Sequence, residues 1–211
     1  LLMGVYSKYP VLPSPPFLVL SDDNGETFSV PTISPTPGFV HEFASVQNRI
    51  YCGAENGLYV SADSGSTWSH ILVDSTNSAP ANRRNVINGL SPLGDTLWVG
   101  TDSGLVILRM DSVGVIGSTS YHVFADSDTT GSRVIRVRTQ SFGADSLIVW
   151  AVHRSGQSGG GIPSVSRWSS SFPAEWYPYQ KNQFTNDVGF IGDSVLFLQN
   201  NGVRLTPTDL D

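Results

Sequence analysis

A polar turn residue recurs along this chain at Asn48, Asp95, Asp145 and Asp193, at spacings of 47, 50 and 48, each time at the head of a short apolar run. Such a beat is the mark of a repeated supersecondary unit, and it constrains the fold more than any single motif. The clearest copy spans Phe43 to Val73. It reads as a strand at Phe43–Val46, a turn at Gln47–Arg49, a strand at Ile50–Gly53, a turn through Glu55–Gly57, a strand at Leu58–Ser61, an Asp-Ser-Gly turn and a strand from Trp68. Four short strands joined by tight turns form one antiparallel sheet.

The same order returns downstream. Gly57, Gly104 and Gly202 open the third strands of three units, separated by 47 and 98 residues, which leaves room for one more unit between the last two. Gly143–Trp150 supplies its turn and second strand, and its third strand resumes near Ser164–Trp168 after the Gly/Ser-rich loop Arg154–Gly161. At the start, Leu1–Gly4 matches Ile50–Gly53 and Leu18–Ser21 matches Leu58–Ser61, around a Pro-rich insertion between Tyr9 and Pro16.

A unit of 45–50 residues with four strands has the size of a β-propeller blade, whose apolar faces are buried only against neighbouring blades. A linear stack of hairpins and an irregular sandwich are the competing architectures. The predicted blades are 1–35 (partial), 40–75, 84–125, 131–180 and 184–211 (partial). Because the first begins at its second strand and the last ends after its third, the fold expected is all-β. It is a β-propeller of four-stranded antiparallel blades with a repeat near 48 residues, an incomplete part of a larger ring of about seven blades. The remaining blades are expected on a missing segment or another chain, since an open arc exposes apolar faces and strand edges.

Composition narrows the function. Acidic residues number 18 against 12 basic ones, of which only Lys8 and Lys181 are lysines, so a nucleic-acid partner is not expected. Arg133, Arg136 and Arg138 form the one dense basic stretch. Only the last two share a strand face, and they read as solvated or edge-strand arginines ahead of an anion-binding patch. Cys52, the single cysteine, reads as a buried small hydrophobe. No apolar run approaches a membrane span, and the opening Leu1-Leu-Met-Gly4 has neither a basic leader nor an initiator Met, so upstream processing or a longer protein is expected.

One phrase is stated twice, Ser21-Asp-Asp-Asn-Gly-Glu-Thr-Phe28 and Ser61-Ala-Asp-Ser-Gly-Ser-Thr-Trp68. The short acidic side chain of Asp23 or Asp63 can accept N–H groups of its own turn, Gly25 or Gly65 supplies the positive φ, and Thr27 or Thr67 closes the turn. Phe28 or Trp68 then enters the space between sheets. On these residues the chain resembles the Asp-box (BNR-repeat) family of sialidase-like propellers and photosystem II assembly factors. The lines Tyr51-Cys-Gly-x-x-x-Gly-Leu-Tyr-Val60 and Leu97-Trp-Val-Gly-x-x-x-Gly-Leu105 also resemble periplasmic sensor-type propellers. The resemblance implies that the boxes lie on the outer rim, between third and fourth strands, as fold-stabilising rather than catalytic positions. Only two of the five units carry the full box; Arg109–Gly114 lacks its Thr-Trp ending.

No catalytic phrase stands out. Arg49, Arg83, Arg84, Arg133 and Arg154 with Tyr51, Tyr59 and Glu55 do not assemble a sialidase pattern, and the Arg-Ile-Pro start of that class is missing. A glycosidase needs two carboxylates, yet the glutamates are only Glu26, Glu42, Glu55 and Glu175, and Asp95, Asp145 and Asp193 read as turn formers. His41, His70, His122 and His153 show no metal-ligand spacing, and Ser21–Gly25 is short of calcium ligands, so neither metal nor cofactor is expected. Long loops are the expected contact sites, with Trp176, Tyr177 and Tyr179 as a candidate binding surface.

The reading that follows is a non-catalytic binding or scaffolding propeller of a periplasmic or extracellular protein, engaging protein or glycan through its loops. A glycoside hydrolase with carboxylates at the central channel and a purely structural module of a large surface assembly are the alternatives.

Overall fold

The structure is a computed structural model that describes residues 2–4, 18–75, 83–124, 133–142, 146–153, 163–170, 176–181 and 184–207. The Pro-rich insertion, Asp145 and the loop Arg154–Gly161 lie outside the described residues.

No α-helix occurs among the described residues. The strands are β1 (Leu2–Gly4), β2 (Leu18–Leu20), β3 (Thr32–Ile33), β4 (Val40–Val46), β5 (Arg49–Ala54), β6 (Gly57–Ser61), β7 (Thr67–Ile71), β8 (Ile87–Leu93), β9 (Thr96–Thr101), β10 (Gly104–Met110), β11 (Ile116–His122), β12 (Val134–Phe142), β13 (Ser146–His153), β14 (Pro163–Ser169), β15 (Tyr177–Lys181), β16 (Thr185–Ile191), β17 (Ser194–Gln199) and β18 (Gly202–Pro207). They form five antiparallel sheets in chain order: β1-β2, β4 to β7, β8 to β11, β12 to β15 and β16 to β18, hereafter the first to fifth sheets. This is a β-propeller built of four-stranded blades, here an incomplete arc. One strand departs from the sequential pattern. After a single bridge between Leu20 and Ser29, the chain leaves the first sheet, and β3 pairs in parallel with the outer edge of β7.

The innermost strands stack on one another: β8 packs against β4 and β12, and β12 against β16. The second strand of each complete sheet is therefore covered on both faces, which explains why it reads as an apolar run instead of an alternating one. Side chains still alternate in destination. Cys52 enters the core shared with the first sheet, while Tyr51 enters the core shared with the third. Likewise Leu97 and Val99 face the second sheet, and Trp98 faces the fourth.

The repeated second-strand glycine sets the spacing. A Cβ on Gly4 would lie 3.0 Å from Val40 Cβ, one on Gly53 2.6 Å from Ile87 Cγ2, and one on Gly100 2.8 Å from Val134 Cγ1. Each glycine thus admits the first residue of the next inner strand, and this contact is the physical content of the phrases Cys-Gly and Val-Gly.

Strand register separates the arc into two ends. At one end lie the turns between first and second strands, such as Val46 to Arg49, with both Asp-Gly boxes, between third and fourth strands. At the other lie the turns between second and third strands, Ala54 to Gly57, Thr101 to Gly104 and Gln199 to Gly202, beside the starts of the inner strands. The fifth sheet ends at β18, where Val203 and Leu205 are 65% and 55% exposed, so the outer face of the arc is uncovered there.

Gly100→Val should destabilise the chain by about 1–3 kcal/mol, because the added methyls overpack the second-strand contact. Gly117→Ala, whose Cβ would meet nothing closer than 3.6 Å, should change stability by less than about 0.5 kcal/mol. Urea unfolding of the two variants checks the difference.

Candidate functional site at the inner-strand bulges

Every complete inner strand, and that of the fifth sheet, is broken at the same point. The register skips between Val40 and Glu42, Ile87 and Gly89, Val134 and Arg136, and Thr185 and Asp187, leaving His41, Asn88, Ile135 and Asn186 unpaired on their strands. A β-bulge turns the following side chains out of the regular alternation, a device common beside binding sites. Here it points charges toward the line where the inner strands meet.

Arg138 is the centre of that arrangement. Its Nη1 donates to Glu42 Oε1 on β4 at 2.8 Å, and its Nη2 to Asp187 Oδ2 on β16 at 2.7 Å, so one guanidinium ties the second, fourth and fifth sheets together. Glu42 Oε2 also accepts the Leu90 N–H at 2.9 Å, which brings in the third sheet. Burial pushes the Glu42 carboxyl upward, and Arg138 and the Leu90 amide oppose it. Arg136 stands one bulge-face position earlier, half-exposed, with Nε 4.0 Å from Asp187 and Nη1 on the carbonyls of Asn88 and Ile135.

Beyond the bulges the same end carries a second cluster. Asp102, in the turn after β9, pairs with Arg83 at 2.8 Å and Arg133 at 2.6 Å and accepts the Asn88 amide at 2.9 Å. In the fifth sheet, Asn186 donates to Asn200 at 2.8 Å. Bulge residue and second-to-third turn are therefore joined in two sheets out of the four. Among the described residues no group of His, Cys, Asp and Glu has the makings of a metal site.

The boxes occupy the opposite end and share four hydrogen bonds. Ser21 Oγ donates to Asp23 Oδ1 (2.7 Å) and accepts the Gly25 N–H (2.7 Å), while Asp23 accepts the Thr27 N–H (2.9 Å) and hydroxyl (2.5 Å). Ser61, Asp63, Gly65 and Thr67 repeat all four bonds at 2.8, 2.8, 2.9 and 2.6 Å. The Thr67 hydroxyl and amide and the Ser61 hydroxyl hold the Asp63 carboxyl down at about 2, and the matching donors hold Asp23 lower still. Two consecutive residues, Asn24-Gly25 and Ser64-Gly65, take positive φ. Trp68 is buried and donates Nε1–H to Gly65 O at 2.8 Å, whereas Phe28 is 46% exposed beside the shorter first sheet. In the third sheet Asp111 caps its turn alone, accepting the Val113 and Val115 amides.

Trp176 lies between the third and fourth sheets. It stacks on His122 (5.5 Å between centroids) and meets Phe124 edge-on (5.0 Å), in a cluster with Trp98, Trp168 and His153. The side chains of Tyr177 and Tyr179 lie outside the described residues. Cys52 is fully buried, and burial pushes its thiol up to about 12. Sequence reasoning identified Arg136 and Arg138 as one face but missed Glu42 and Asp187 as their partners. The signal present was a pair of adjacent polar or charged residues opening two of the inner strands, His41-Glu42 and Asn186-Asp187.

No protein-family profile and no curated protein matches the chain by sequence. Among solved structures it is similar to YCF48 bound to D1 peptide, at 14% identity and TM-score 0.58, covering 93% of this chain and 59% of that one. It is also similar to the extracellular domain of a putative one-component system from B. thetaiotaomicron, at 17% identity and TM-score 0.60, covering 89% of this chain and 23% of that one. BBS1N in complex with ARL6DN matches at 14% identity and TM-score 0.50, covering 92% and 60%. These likenesses establish the propeller fold, and this chain spans less than two thirds of each of those proteins.

Burial holds the His153 imidazole down at about 3, with His122 adding to the effect, and its Nε2 is 2.9 Å from Ser166 Oγ. The unfolded chain takes up this proton below its ordinary value near 6.5, while the folded one does not until about 3. Stability should therefore fall as pH drops through that window, ahead of the loss from Asp23 and Asp63, which begins only near 4. His153→Gln should flatten urea midpoints between pH 6.5 and 4.5 relative to the unmodified chain.

Proposed function

We propose that this chain is a non-catalytic binding propeller of an exported or cell-surface protein, which engages a protein or glycan partner at the bulge end of the arc. The observation that carries the reading is the engagement of both axial carboxylates by Arg138. Glu42 is further held by the Leu90 amide, so neither group is poised to pass protons to a substrate. The half-exposed Arg136, the bulged His41 and the turn around Asp102 offer instead a rigid polar surface on strands, suited to partner recognition. The similar structures bound to D1 peptide and in complex with ARL6DN support a protein or peptide partner. Likeness to an extracellular domain supports export, and no described helix is long and apolar enough to cross a membrane.

In the same reading the two boxes, an Asp-box pair in the manner of the sialidase-like family, serve the fold. Ser21, Asp23, Gly25, Thr27, Phe28 and their counterparts Ser61, Asp63, Gly65, Thr67 and Trp68 hold rim turns away from the partner. Cross-linking to the partner in its native extract, followed by mass spectrometry, compares Arg136→Glu with Asp63→Ala. The partner should be lost with Arg136→Glu and kept with Asp63→Ala, whose thermal midpoint alone should fall. Equal recovery from both would place recognition elsewhere.

One observation favours a glycoside hydrolase: Glu42, pushed upward by burial, and Asp187 sit at the two nitrogens of one guanidinium, as an acid and a carboxylate could. Turnover of aryl glycosides by the chain, reduced at least about 100-fold by Glu42→Gln, would establish that reading. The binding reading expects no turnover.

A further inference from the structure

Each sheet turns one face toward its predecessor and the other toward its successor, and the same strand positions build the second of these faces along the arc. In the second sheet Tyr51 stands opposite Val60 and Gly53 opposite Leu58, and both Tyr51 and Leu58 are buried in the core shared with the third sheet. In the third, Trp98 stands opposite Ile107 and Gly100 opposite Leu105, facing the fourth sheet. In the fourth, Val152 stands opposite Val165, facing the fifth. The fifth sheet repeats the pattern with Leu196 opposite Leu205 and Leu198 opposite Val203, apolar at all four positions.

Among the described residues no sheet follows the fifth, and its face is open. Leu58 and Leu105 are at most 1% exposed, whereas their counterpart Val203 is 65% exposed. Ile191, two positions beyond the Leu196 partner Gly189, extends the same face. The edge beside it is guarded, since β18 carries Arg204 and Pro207, residues that blunt strand addition. A partner of this sheet therefore lies on its face and not along its edge.

The chain carries the complement at its other end. In the second sheet the predecessor-facing side chains Tyr59 and Trp68 pack with Leu18 of the first sheet and are buried. The first sheet holds Val19 and Phe28 at those two positions: Met3 pairs with Val19 as Cys52 pairs with Tyr59, and Phe28 ends the first box as Trp68 ends the second. Val19 is half-buried and Phe28 exposed. Gly4 pairs with Leu18 as Leu198 pairs with Val203, so Val203 occupies the place from which Leu18 reaches Tyr59 and Trp68.

Leu198 favours this occupant over another regular blade. Its position holds Gly53 and Gly100 where the next inner strand starts with Ile87 or Val134 close above the glycine, and Val152 where that strand starts with the smaller Thr185. A leucine leaves the least room for an inner strand, and the first sheet as described consists of β1 and β2 alone.

We infer that the open face of the fifth sheet docks the first sheet of a second copy of this chain, head to tail. Val203 packs on Val19 and Phe28 of the second copy, and Leu198 fills the space that an inner strand would take. Apolar sheet-on-sheet burial supplies the affinity, and the contact is heterologous, joining two different faces. It uses none of His41, Asp102 and Arg136, so it stands apart from the recognition proposed for the bulge end.

Sedimentation velocity of the 211-residue chain tests this, run between about 1 and 100 μM to cover the affinities that a small interface gives. The sedimentation coefficient should rise with concentration, and Leu205→Glu and Phe28→Asp should each weaken association by at least about tenfold. Both side chains are exposed, so thermal midpoints should hold; Leu205→Ser and Phe28→Ser replace either variant that unfolds. Mixed together, the two variants should form a 1:1 dimer and nothing larger, because one copy keeps the first-sheet face and the other the fifth-sheet face. A chain that stays monomeric throughout the range overturns the inference. So does self-association of Phe28→Asp equal to that of the unmodified chain, which assigns the fifth-sheet face to its own counterpart, or a mixture of the two variants that stays monomeric.

Discussion

The fold depends on one steric contact, the approach of an inner strand onto a glycine in the preceding sheet. At Gly53 and Gly100 there is no room for a methyl group beside Ile87 and Val134. Because the contact is made near the start of each inner strand, it draws that end of the strands together. The sheets then fan outward, and larger side chains such as Tyr51, Trp98 and Trp150 fill the widening gap. The fourth sheet has Val152 at the corresponding register position, opposite which the pattern of Gly with Val or Ile gives way.

That convergence gives the two ends different physical characters. At the bulge end, charges from separate sheets fall within hydrogen-bond reach, and half-buried ion pairs such as those of Arg138 specify which strands meet. At the box end, each sheet satisfies its own turn. Asp23 and Asp63 accept their hydrogen bonds from Ser and Thr residues of the same turn, so the turn geometry is set locally. Both carboxylates are held low by the Thr hydroxyl and amide and the Ser hydroxyl of their own turn.

The propeller was legible because it rests on local periodic signals: a turn residue every 47 to 50 positions, an apolar second strand, a glycine at its end and two intact boxes. Bulges were not, since they depend on how a strand pairs and leave only a weak trace, such as the doublets His41-Glu42 and Asn186-Asp187. The Arg138 bridge was illegible for a different reason. Its partners are on strands brought together by three-dimensional closure, which a single sequence does not encode as spacing. Likewise β3 was read with the first unit, yet its short extended stretch finds a better edge on the second sheet than on β2.

Convergence of the inner strands on Arg138 is tested most directly by a double-mutant cycle between Glu42→Gln and Asp187→Asn, read by urea unfolding and repeated in an Arg138→Met background. A coupling energy between about 0.5 and 3 kcal/mol is expected, because both carboxylates share one guanidinium, and it should vanish without Arg138. Additivity within about 0.3 kcal/mol in the unmodified background would contradict the account, since residues on sheets that do not meet have no reason to couple.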